Sequence, residues 1–167
     1  MLNTLKYFNI SATILFIIAL NTATIDIKSK EPNSINWISF EQLNDSLVIN
    51  PKKVMIDFYA DWCQQCREMK KNVFTNPRVI EILNSKFYAV KMDVESNDTI
   101  AFGNQIYINE RIDKRNPIHQ IPLLMASRKD VPFSLPAIIF MDENFKATSR
   151  YFQFLDSVQL IEILEDE

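Results

Sequence analysis

The sequence predicts an α/β fold, a central mixed β-sheet flanked by helices. Three observations carry that reading. A short apolar strand over 54–60 runs directly into a helix start at Cys63, and extended and helical patterns alternate around it. Two further strands, 137–141 and 147–151, are joined through Asp142-Glu143-Asn144, and a final amphipathic helix follows them. The order is β-α-β-α-β, then β-β-α, which buries a sheet between helical layers.

The elements follow in chain order. Residues 1–6 hold Lys6 and no acid, and 10–20 form a mostly apolar run ending near the small residues Ala19, Thr22 and Ala23. This pattern predicts a secretory signal peptide over 1–23. The run is shorter than the ~20 residues that span a bilayer comfortably, so cleavage near Ala23 is expected, with retention as an anchor the alternative. A polar linker, 24–34, leads to a single domain over 35–167. That domain opens with a strand at 35–39 and a helix at 41–48 closed by Pro51. The strand at 54–60 then feeds a helix at 63–72, broken near Thr75. Asn76-Pro77 supplies an N-cap and a first-turn proline for a helix to about 84. A strand at 87–94 follows. Gly103-Asn104 sits between 99–102 and 105–108 as the two-residue turn of a hairpin. Residues 111–116 form a charged loop, and 119–128 a helix that tolerates Pro122 only in its first turn. After the hairpin at 137–151, Asp156 with Gln159 three residues on caps the last helix, to about 165.

The chain has 167 residues, 47% of them apolar, enough for one domain with a real core. A net charge of −3 and the lack of any Lys/Arg run exclude a nucleic-acid partner, because phosphate binding needs concentrated positive charge. Gly103 is the sole glycine, so turns fall to Asn, Asp, Ser and Pro.

Cys63 and Cys66 are the only cysteines. Three positions apart at a helix start, they lie within disulfide reach. Cys63 there presents its sulfur to unsatisfied backbone N–H groups and to the positive end of the helix dipole. That environment stabilises the thiolate, the form that attacks disulfides. Export would place the pair where disulfides persist, and with no other cysteine there is no structural disulfide framework. Zinc wants four ligands, or three and a water. The chain offers no second cysteine pair and one histidine, His119, so neither a metal nor any cofactor beyond the Cys63–Cys66 disulfide is expected. Two buried small hydrophobes is the bland alternative.

Asp57 interrupts the apolar strand between Ile56 and Phe58. A carboxylate buried there without a partner is unfavourable and its pKa should rise. Asp57 is therefore a candidate proton acceptor for Cys66, unless its side chain points to solvent. Pro136 stands immediately before the apolar run 137–140, at a strand start, one of the few sheet positions a proline can occupy. His119, solitary near a helix start, reads as a structural hydrogen-bonder.

The segments Tyr59-Ala60-Asp61-Trp62-Cys63, Phe74-Thr75-Asn76-Pro77 and Ser134-Leu135-Pro136-Ala137 resemble the thioredoxin superfamily. Residues 54–83 are most similar to the exported C-terminal thioredoxin-like domain of DsbD-type thiol:disulfide interchange proteins. The whole combination resembles signal-bearing thioredoxin family proteins of Bacteroidetes. The resemblance implies a thioredoxin fold over about 35–165. Cys63 would be the exposed nucleophile and Cys66 the resolving thiol. Asp57 would lie behind Cys66, and Lys91 would match a lysine near that acid. It further implies a cis peptide before Pro136, with the Leu135 backbone free to pair with an extended substrate. Trp62 would shield the active-site surface.

Two departures matter. Gln64-Gln65 replaces the usual Gly-Pro between the cysteines, a pair that tunes the redox potential in the family, and the glycines usual in the later strands are missing near Phe152-Gln153-Phe154. The stretch before the cis-proline strand carries an insertion, about 95–133, with partner selection beside the Cys63 face, surface decoration or a dimer contact as alternatives. The expected function is a periplasmic reductase of disulfides in exported proteins, soluble or anchored through its N-terminal segment. Protein thiols and disulfides would be its partners, recharged by a membrane electron donor of the DsbD or CcdA type. A disulfide oxidase or isomerase, or a non-catalytic thioredoxin-fold binding module, are the alternatives.

Overall fold

The computed structural model describes residues 33–167; the signal-peptide reading and most of the linker lie outside the described residues. β1 (Trp37–Ile38) is shorter than the strand expected at 35–39. α1 (Phe40–Ile49) starts at Ser39, whose hydroxyl accepts the Gln42 N–H while the Gln42 side chain accepts the Ser39 N–H, a reciprocal capping box. β2 (Lys53–Tyr59) leads into α2 (Gln64–Glu68). The helix expected to run on to 72 instead widens into a π-helical turn (Met69–Val73), closed by the Phe74 N–H on the Met69 carbonyl at 3.0 Å. That wide turn lets Met69, Val73 and Phe74 all enter the core, which the regular 3.6-residue period would prevent for adjacent residues 73 and 74. α3 (Pro77–Lys86) carries Asn76 as its cap and Pro77 in its first turn, followed by β3 (Phe87–Asp93).

β4 (Ile100–Phe102) and β5 (Gln105–Tyr107) form the expected hairpin. Gly103 and Asn104, at φ 58° and 61°, supply the two left-handed residues that a type I′ turn demands. α4 (Gln120–Ala126), β6 (Ala137–Met141), β7 (Ala147–Tyr151) and α5 (Ser157–Asp166) complete the chain, the last capped reciprocally by Asp156 and Gln159.

The main sheet runs β1-β3-β2-β6-β7, parallel through β1, β3 and β2 and antiparallel at β6 and β7. Strand alternation divides the core in two. Met55, Ala89, Ile138 and Phe140 face the side covered by the π-turn, α3 and α5. Val54, Ile56, Phe58, Val90 and Ile139 face the side shared by Phe40 and Leu43 of α1 with Ile121 and Ala126 of α4. Phe58 and Phe140 are fully buried, and truncating either to Ala would remove about 3–5 kcal/mol.

The stretch at 95–133 is thus no surface decoration as a whole. Its α4 closes the second core, while its hairpin lies on α1, with the Phe102 ring 5.5 Å from Phe40 and 4.9 Å from Phe145. Phe145 belongs to the turn after Met141, and Met141 pairs with Val54, at the far end of β2 from Cys63. The hairpin tip therefore reaches away from the cysteines. No helix among the described residues is long and apolar enough to cross a membrane.

Candidate active site

β2 ends at Tyr59, and the chain turns through Ala60-Asp61-Trp62 to place Cys63 at the N-cap of α2. Cys63 and Cys66 are joined as a disulfide, with Cα atoms 5.3 Å apart. The Cys66 N–H donates to the Cys63 sulfur at 3.1 Å, and the Cys63 N–H to the Ala60 carbonyl at 3.0 Å. A backbone donor aimed at a sulfur stabilises negative charge on it once the bond is reduced. The exposure expected of Cys63 is not found in this oxidised form: Cys63 is 4% exposed and Cys66 6%, since each sulfur covers the other and the turn packs around them. Gln64 and Gln65 are exposed on the helix surface between them.

Asp57 and Lys91 are direct partners in the β2–β3 register. By alternation Asp57 shares the face of Met55, the face over which α2 lies, so its side chain is buried behind the cysteines and does not point to solvent. A cleft of about 190 Å³ connects it to Cys66, walled by Trp37, Tyr59 and Phe74 and rimmed by Asp61, Arg67, Lys70 and Lys91. Burial pushes the Asp57 carboxyl up to about 7, although the Lys91 charge pulls the other way. Lys91 makes no ion pair with it; the ammonium stands 5.7 Å over the Trp37 ring.

On the outer surface Trp62 is 64% exposed, and its indole N–H donates to Glu95 at 2.8 Å. Glu95 follows β3 at the root of the inserted segment. That root is fixed by two backbone bonds, Val94 N–H to the Tyr59 carbonyl and His119 N–H to the Val94 carbonyl, both 2.8 Å. His119 is fully buried. Its Nδ1 accepts the Ile121 N–H and caps α4, which leaves the proton on Nε2 to donate to the Asp98 carbonyl. Burial lowers its pKa, so the ring is neutral and structural. Buried Asn109 adds a second tie, donating to the carbonyls of Ser96 and Pro117.

The Leu135–Pro136 peptide bond is cis, and Pro136 is buried at the entrance to β6. Leu135 is half-buried against the α1-side core. Where the missing glycines left the geometry open, Phe152 packs on that same core and carries the Arg128 guanidinium 4.0 Å above its ring. Glu95, Asn109, Arg67, Lys70 and Arg128 were not singled out from the sequence. Nothing in their spacing distinguishes them from solvated polar residues; only the fold brings them to the site. Among the described residues no group of three or more His, Cys, Asp or Glu side chains converges to hold a metal.

The thioredoxin-like family model matches residues 45–142. The chain is similar to the thiol:disulfide interchange protein DsbD of Campylobacter jejuni, 34% identical over 84 residues, covering 50% of this chain and 14% of that protein. It is also similar to DsbD of Photorhabdus laumondii, 29% identical over 132 residues, covering 78% of this chain and 19% of that one. The chain thus spans under a fifth of the length of these curated relatives. Among solved structures, the oxidised C-terminal domain of DsbD from Neisseria meningitidis superposes with a TM-score of 0.50 at 21% identity, covering 75% of this chain and 90% of that one. A thioredoxin from Thermus thermophilus gives 0.55 at 17% identity, with 80% and 86% covered. These two likenesses speak for the fold.

Proposed function

We propose that this chain, which belongs to the thioredoxin-like family, is a thiol-disulfide oxidoreductase that reduces disulfides of exported proteins. The observation that carries this reading is the Cys63–Cys66 disulfide at the start of α2, with the Cys66 N–H aimed at the Cys63 sulfur. In the reduced enzyme the Cys63 thiolate attacks one sulfur of a substrate disulfide. A Cys63–substrate bond forms, the substrate S–S bond breaks, and the departing sulfur takes up a proton. Cys66, deprotonated, then attacks the Cys63 sulfur, re-forms the Cys63–Cys66 disulfide and releases the second substrate thiol. Two electrons and two protons pass to the substrate, and a membrane electron donor of the DsbD or CcdA type returns them. No further cofactor enters the cycle.

Asp57 is the proton acceptor for Cys66 in this scheme. Its placement behind the resolving cysteine supports that role, and so does a pKa of about 7, which suits proton exchange near neutral pH. Lys91, beside it in register, restrains that pKa. Leu135 and cis-Pro136 present a substrate-pairing edge, Trp62 flanks it, and Gln64 and Gln65 set the potential. The apolar segment at 10–20 supports export to the periplasm, with the domain either released or held at the membrane.

Cys66→Ser in the periplasm should accumulate mixed disulfides on Cys63 that thiol reductants dissolve, and Cys63→Ser should not. If neither variant traps a partner, the chain is a binding module. A reduction potential near −120 mV, that of a strong oxidant, in place of one near −270 mV would reverse the direction of electron flow.

A further inference from the structure

We propose that Arg128 is a positioning residue that holds the substrate-pairing backbone of Ser134 and Leu135 in place; this rests on the reductase reading above. Residues 132–136 approach the cis-proline without regular structure, and among the described residues no backbone–backbone hydrogen bond involves them. An edge left free in this way can pair with a peptide, but nothing in its own backbone fixes its position. Among the described residues the sole side-chain hydrogen bond to this stretch comes from Arg128, whose Nη2 donates to the Ser134 hydroxyl at 2.8 Å.

The same guanidinium lies over Phe152, 4.0 Å from the ring centroid, just past the end of β7. Phe152 in turn packs on the core that Phe133 and Leu135 touch. Arg128 thereby ties the loop before β6 to the segment after β7. Its own backbone is steadied by a bridge to Val131, and the helix before it by Arg150, which donates to the Met125 carbonyl at 3.3 Å. A planar fork that both donates and stacks performs two tasks that an ammonium performs less well.

The test uses the full chain, with insulin and dithiothreitol for turnover of a protein disulfide, and with 5,5′-dithiobis(2-nitrobenzoate) as a small disulfide that needs no backbone pairing, mixed with the pre-reduced chain after dithiothreitol is removed, because dithiothreitol reduces it directly. Arg128→Met should raise KM for insulin about tenfold, the scale of one charge-assisted hydrogen bond. The kcat, the rate on the small disulfide and the reduction potential should be unchanged. Arg128→Lys should recover less than half of the loss. Ser134→Ala should raise KM in the same direction but add nothing on top of Arg128→Met. Independently of turnover, ¹⁵N relaxation order parameters at Ser134 and Leu135 should fall in Arg128→Met. Unchanged order parameters, or parallel losses on both substrates, would overturn the assignment. A wild-type chain that reduces neither disulfide would instead remove the reductase reading, and the order parameters would still decide whether Arg128 braces the loop.

Discussion

Asp57 makes the stability of the oxidised protein fall as pH rises from about 4 to about 7. Its carboxyl titrates near 7 in the folded chain against a reference of 3.8. Between those values the folded state holds a proton that the unfolded state has lost, so ν_N exceeds ν_U and the slope of unfolding free energy against pH is negative. Below about pH 4 the residue contributes nothing. Above about pH 7 the full penalty of an ionised, buried carboxylate is present. The two values lie about three pH units apart, and at 1.36 kcal/mol for each the penalty has a ceiling of roughly 4 kcal/mol. The Lys91 charge already lowers it, and water entering the cleft lined by Cys66 and Asp57 lowers it further. Asp57→Asn keeps the shape and removes the titration. Urea unfolding of oxidised wild type and Asp57→Asn from pH 5 to pH 9 isolates the effect, because Tyr59, whose pKa the Asp57 charge also raises, titrates above that range. The variant should gain on wild type by a few kcal/mol over that span, nearly all of it acquired between pH 5 and pH 8. Parallel profiles would refute both the burial of Asp57 and its place as a proton acceptor.

Two further outcomes follow from the root of the inserted segment. His119 has a folded pKa below its unfolded value, so its contribution is fully present above about pH 6.5 and is lost as pH falls below it; His119→Asn, a cap that does not titrate, should abolish that part of the loss of Tm between pH 7 and pH 5. Glu95→Ala frees the Trp62 indole, and acrylamide should quench its fluorescence more strongly while stability changes by less than about 1 kcal/mol, as expected of an exposed hydrogen bond; unchanged quenching would show that Glu95 does not hold the ring.

How much of this was legible in the sequence depended on whether local pattern or tertiary contact decided the outcome. The strands at β2 and β6 are continuous apolar runs because both faces of the sheet are covered, and Asp57 stands out against that background. The caps at Asn76 and Asp156 act within three residues and are readable for the same reason, whereas Ser39, the cap of α1, falls at the end of the strand expected at 35–39. The π-turn was not readable. Cys66, Met69 and Val73 fit an ordinary helix, and only the demand to bury Phe74 as well selects the wider turn. Exposure of Cys63 misled in another way, since thiolate chemistry belongs to the reduced state and burial to the oxidised one. The partners of Trp62 and Ser134 lie in the inserted segment, and no spacing in the sequence encodes those meetings.

That segment divides its work along its length. Its hairpin adds Phe102 to the packing of α1 at the end of β2 far from Cys63, where it can alter stability but not the approach of a substrate. Its two ends behave differently: Glu95 holds the Trp62 indole beside Cys63 in the chain, and Arg128 holds Ser134 on the approach to cis-Pro136. His119 ties the first end to the start of α4, and α4 leads to the second. Substrate choice in this chain should therefore follow changes at 95, 128 and 134, and be indifferent to the hairpin tip at Gly103-Asn104. A long insertion influences the site through its anchors here, because only the anchors reach it.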